Sequence, residues 1–82
     1  MVTVHREGGF RIVIYKDDHV PAHVHVIGDG EVIVNLSGAD GQPEVRQHHG
    51  STTADIRKAL RIVTGRLVVL LAKWREIHGG LD

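Results

Sequence analysis

The apolar positions of this chain alternate over its first half and recur at helical spacing over its second. Residues 2–7 and 10–16 flank Gly8-Gly9, a strong two-residue hairpin signal, which predicts pairing of Glu7 with Phe10, His5 with Ile12 and Val4 with Val13. Ile12, Val13, Ile14 and Tyr15 are apolar on both faces, as a central strand would be. Residues 17–21 read as a loop ending at Pro21, a residue that suits no ladder position. Residues 22–27 and 31–37 are the next two strands, joined by the turn Gly28-Asp29-Gly30. Pairing Ile27 with Glu31, Val26 with Val32 and Val24 with Val34 puts Val24, Val26, Val32, Val34 and Leu36 on one face. His23, His25, Ile27, Glu31, Ile33 and Asn35 then share the other. A slip of one residue would mix the faces, so the pattern selects this register. The valine face is the predicted core face.

A polar, glycine-bearing stretch follows, with room for a short fifth strand at 44–47. The pattern then changes period. Ile56, Leu60, Val63, Leu67, Leu70, Trp74 and Ile77 recur at steps of four and three, an apolar stripe on one helix running over 53–78. Thr52 is the expected N-cap with Asp55 three residues on, and Gly79-Gly80 supplies the stop. Unbroken, such a helix would be roughly 39 Å long. Gly65 in its middle marks a candidate kink or close contact. The expected fold class is therefore α+β: an antiparallel meander of four strands, or five, followed by one long C-terminal helix, all in a single domain over 1–82.

Composition narrows the classes. Hydrophobic residues are 41% of the 82 and charged residues 24%, ordinary values for a folded domain. A domain this small buries a modest core, so a partner or a second copy would help it. Cysteine is absent, which excludes disulfides, thiolate metal sites and thiol nucleophiles and favours a cytoplasmic location. The first residues carry no apolar leader, and the longest apolar run, 67–72, is too short to span a bilayer, so no membrane association is expected. Ten basic residues balance ten acidic ones, which argues against strong non-specific nucleic-acid binding and leaves room for a local patch. Seven histidines are many for this length.

His23 and His25 form the sharpest constellation. Alternate strand residues share a face about 6.6 Å apart along the strand. The bland reading is a solvated polar face. Two sharper readings stand beside it. As acid and base, His23 and His25, with His19 in support and a cation from Arg11, Lys16 or Arg46, would suit metal-independent RNA cleavage. As ligands, the pair would need a third and fourth donor from His5, His19, Asp17, Asp18 or His48-His49, and nothing in the sequence places any of these. No phosphate-binding loop or nucleophile elbow occurs. On the helix, Ile62, Val68, Val69 and Leu71 widen the apolar surface beyond one stripe, which suggests a homodimer or protein-partner interface.

The segments Gly9-Phe10-Arg11, Ile14-Tyr15, Asp18-His19-Val20-Pro21-Ala22-His23-Val24-His25-Val26, Gly28-Asp29-Gly30-Glu31, Arg61-Ile62-Val63 and Leu70-Leu71-Ala72-Lys73-Trp74 together resemble a bacterial family known as domain of unknown function 4160. Its members usually carry two prolines before the paired histidines; here the second is Ala22. The resemblance implies a sheet-plus-helix fold and a place in toxin–antitoxin modules. Members are often encoded beside a small protein of domain of unknown function 2442, proposed as the antitoxin. The expectation is a toxin acting on RNA or translation, with His23, His25, His19 and Arg11 as the reacting set and Lys16 and Arg46 as binding cations. Ile62, Val68, Val69 and Leu71 would be the interface for a cognate antitoxin-like protein or a second copy. No cofactor and no resident metal are assigned. The alternatives are a non-catalytic binding partner, such as an antitoxin, and a histidine metal-binding domain.

Overall fold

The computed structural model describes residues 2–79. Five strands, β1 (Val2–Glu7), β2 (Phe10–Ile14), β3 (His23–Ile27), β4 (Glu31–Asn35) and β5 (Glu44–His49), form one antiparallel sheet in chain order. Two helices follow, α1 (Thr53–Gly65) and α2 (Leu67–His78). The sheet thus has five strands, the larger of the two expected counts, and the single long helix is corrected to two. No helix among the described residues is long and apolar enough to cross a membrane.

The β1–β2 turn holds Gly8 at φ 59° and Gly9 at φ 85°, a pair of left-handed conformations that glycine adopts without strain. It sets Glu7 opposite Phe10 and His5 opposite Ile12, as predicted. Beyond His5 the register shifts and Thr3 faces Val13, so the expected Val4–Val13 pair is absent and Val4 is the extra residue of a bulge. The β3–β4 hairpin has the predicted register, with Val24 opposite Val34, Val26 opposite Val32 and Ile27 opposite Glu31. β5 pairs along β4 over its whole length, with a second register shift that makes Arg46 the extra residue between Val45 and Gln47.

One face of the sheet is apolar. Ile12, Ile14, Val24, Val26, Val32, Val34 and Leu36 pack there with Ala59, Ile62, Val63, Leu70 and Trp74 from the helices. Every member of the predicted helical stripe lies in or against this core. α1 starts at Thr52, whose Oγ1 accepts the Asp55 amide at 3.1 Å. At Arg66 the ladder falters: its amide is shared between the carbonyls of Ile62 and Val63, each at 3.1 Å, and φ moves to −119°. The molecule is 33 Å in its longest dimension, less than one straight helix over 53–78 would need. The break lets α2 bring Leu70 and Trp74, both fully buried, onto the same core. α2 ends on Gly79 at φ 73°; Gly80, the other half of the expected stop, lies outside the described residues.

Gly30 sits where the β3–β4 turn meets the end of β5. A Cβ there would overlap the backbone of His49 and Gly50, which cannot retreat as a side chain could. Gly30→Ala should therefore destabilise the fold by about 1–3 kcal/mol in urea unfolding. At Gly65 no atom lies within 4 Å of a built Cβ. Gly65→Ala should be neutral or stabilising by up to about 1 kcal/mol in the same measurement.

Candidate functional site

The pleat of β3 points Val24 and Val26 into the core and leaves His23 and His25 on the opposite face, side by side with ring centroids 5.4 Å apart. The loop after β2 folds back over them. Asp18 is held in that loop by its own turn: its amide donates to the Tyr15 carbonyl at 3.0 Å, and its Oδ2 accepts the Tyr15 amide at 3.0 Å. This leaves Oδ1 free to reach both imidazoles. It lies 3.3 Å from His23 Nε2 and 3.3 Å from His25 Nε2.

The far ring nitrogens are engaged too. His23 Nδ1 meets the Pro21 carbonyl at 2.8 Å and His25 Nδ1 meets Glu31 Oε2 at 3.0 Å. A carbonyl and a carboxylate only accept, so each Nδ1 carries a proton and donates it. The Arg46 guanidinium, 3.3 Å from His23 Nδ1, is then a close neighbour of that nitrogen and not a donor to it. Its Nε donates to Asn35 Oδ1 at 2.9 Å, a reach that the bulge in β5 provides.

Aromatic rings wall the cluster. Tyr15 meets the His25 ring edge-on at 4.7 Å. Trp74 of α2 lies 5.4 Å from the His23 ring, and His78 stacks on Trp74 at 3.9 Å. The side chains of His23, His25 and Asp18 keep only 5%, 11% and 13% of their exposure. The expected solvated histidine face is thus a closed pair. Burial pushes the Asp18 carboxyl up, but the Tyr15 amide, the His25 ring and the nearby charge of both histidines outweigh it and hold the carboxyl below its ordinary 3.8.

The other expected residues are dispersed. His19 is exposed on the loop and stands outside the Asp18–His23–His25 group, as do His5, His48 and His49. Lys16 is exposed. Arg11 stands on β2 opposite Ile27 and Arg6, in the row of the sheet next to the Val13–His25 pair. Arg6 and Arg11 line an open groove with Gly8, Phe10, Gly28 and Asp29. Of the expected interface, Ile62 is 6% exposed inside its own core and Leu71 is half-buried, while Val68 is 81% and Val69 48% exposed. The sequence reading assigned no role to Glu31, although its register already placed it on the histidine face. It assigned none to Tyr15 or Trp74 at the site, and no spacing signal links either to the histidines.

A family model described as Domain of unknown function (DUF4160) matches residues 9–75. No curated protein and no solved structure matches the chain.

Among the described residues, Asp18 is the group that ties the loop to both rings. Removing its carboxylate in Asp18→Ala should cost about 1–3 kcal/mol in urea unfolding, because the Tyr15 amide loses its acceptor. Asp18→Asn keeps an acceptor for that amide and should cost less. An unchanged unfolding midpoint for Asp18→Ala would mean that the loop is held by other contacts.

Proposed function

We propose, for a chain that belongs to the family of Domain of unknown function (DUF4160), that it is the toxin component of a bacterial toxin–antitoxin module and acts by binding RNA across the sheet face opposite its apolar core. The observation that carries this reading is the cross-strand pair Arg6–Arg11 in the open groove beside the β1–β2 turn. Two guanidiniums set side by side in an open groove suit the bridging of one phosphate. Asp29 and Glu7 also line the groove, but Glu7 is engaged by Arg66 at 3.2 Å and His5 at 2.8 Å. Arg46 adds a third guanidinium to the same face, beside His23. Of the acids on this face, Asp18 and Glu31 turn toward His25, and Glu44 stands exposed on β5 opposite Asn35. A net charge of zero is thereby compatible with one basic surface.

This reading gives the arginines the contact with RNA. Acid–base work by His23 and His25 has less support from the geometry, since all four of their ring nitrogens face a carboxylate or a carbonyl. A substrate would have to displace Asp18 first.

Inducible expression should arrest growth, and Arg6→Ala/Arg11→Ala should relieve the arrest. Purified, that variant should bind single-stranded RNA more weakly by fluorescence anisotropy, with the slope of log affinity against log salt reduced by about one per lost phosphate contact. Full growth arrest by a folded double variant would overturn the reading.

A second reading rests on α2. Val68 and Val69 form an apolar exposure on a helix whose other face is already packed, as an antitoxin-binding or regulatory surface would. Val68→Asp/Val69→Asp should abolish the complex with the cognate antitoxin-like protein in co-purification while leaving the unfolding midpoint of the lone chain nearly unchanged.

A further inference from the structure

We propose that Asp18, His23 and His25 form a three-ligand site for a divalent transition metal of the zinc class. The sequence places the two histidines together and leaves the third donor open. The fold supplies it from the loop. One ligand atom from each residue lies within 4.8 Å of the other two, and Asp18 Oδ1 is 3.3 Å from each Nε2. Metal–ligand bonds of about 2.0–2.2 Å at tetrahedral angles separate neighbouring donors by roughly 3.4 Å. Two sides of the triangle are already close to the length a metal would impose.

Lone pairs make the stronger argument. The Pro21 carbonyl and the Glu31 carboxylate fix the protons on Nδ1 of His23 and His25. When the rings are neutral, each Nε2 then turns a bare lone pair toward the same carboxylate oxygen. Three electron-rich atoms converging in a site this closed repel one another unless a cation lies among them. The cation can be a metal ion or a second proton on each ring. The surroundings favour the metal. Ligating histidines characteristically donate their other N–H to a carboxylate or a backbone carbonyl, which fixes the ring and raises its basicity, and both histidines here do so. The Tyr15 turn holds Asp18 with Oδ2 engaged and Oδ1 presented.

Two imidazoles and one carboxylate suit zinc, cobalt, nickel or copper better than magnesium or calcium, which take oxygen donors. Among the described residues no fourth His, Asp or Glu joins the group. The remaining position is left for water or an incoming anion, the arrangement of reactive rather than purely structural centres.

The test uses untagged full-length protein, stripped with a chelator and titrated with Zn²⁺ and Co²⁺. The expected result is one equivalent bound per chain by calorimetry, a raised Tm, and a visible d–d spectrum for cobalt. The chain has a single tryptophan, Trp74, whose ring lies 5.4 Å from His23, so Cu²⁺ should quench its fluorescence stoichiometrically. Asp18→Asn and His25→Gln should each weaken Zn²⁺ binding strongly, and Glu31→Gln, acting only through His25, by about 10–100-fold. His48→Ala/His49→Ala should leave it unchanged. The proposal fails if the folded wild type takes up no Zn²⁺ at stoichiometric concentration, with NMR showing both rings doubly protonated instead. It fails equally if the folded Asp18→Asn and Glu31→Gln variants bind as the wild type does.

Discussion

Strand β3 can satisfy its surroundings in only one register. Its sequence His23-Val24-His25-Val26-Ile27 alternates at the period of the pleat, so the choice that buries two valines also commits two imidazoles to the opposite side. Both valines are fully buried, and a shift of one position would exchange them for the histidines under α1. Burying Val24 and Val26 contributes on the order of 1.5–3 kcal/mol each. The same preference that assembles the core therefore fixes the direction of the histidines before any of their polar partners arrive.

What closes the histidine side comes from elsewhere in the chain. The loop after β2 brings Asp18 over the rings, and α2 brings Trp74 against His23. Trp74 belongs to the core that Ile14, Leu36 and Leu70 share, and it also touches the polar cluster. The break at Arg66 places it there. The packing of α2 and the shape of the polar site are thus coupled through one indole ring.

Much of this architecture is legible in the residues. Gly8-Gly9 identifies the first hairpin, the valine pattern sets the register of the second, and the four–three spacing of Ile56 to Ile77 finds the packed face of both helices. The rest depends on information that periodicity does not carry. β5 has only Val45 as an apolar marker, and its place comes from backbone pairing with β4. Gly65 permits a break in the helix without determining its form. Ile62 reads as peripheral to the stripe, yet Ala59, three residues before it, is small and fully buried, and Ile62 joins the same core. Asp18 is one of several polar loop residues in the sequence. Only the turn made with Tyr15 distinguishes it from Asp17 and His19.

The two irregular pairings bear on how the molecule lives at high concentration. β1 and β5 are the outermost strands of the sheet, and each contains an inserted residue, Val4 in one and Arg46 in the other. An interrupted rim twists away and offers a broken row of amides and carbonyls, a poor template for a strand from a neighbouring molecule. Fibril-like growth by sheet extension is therefore discouraged at both margins, which leaves contact between copies to side chains and not to the backbone.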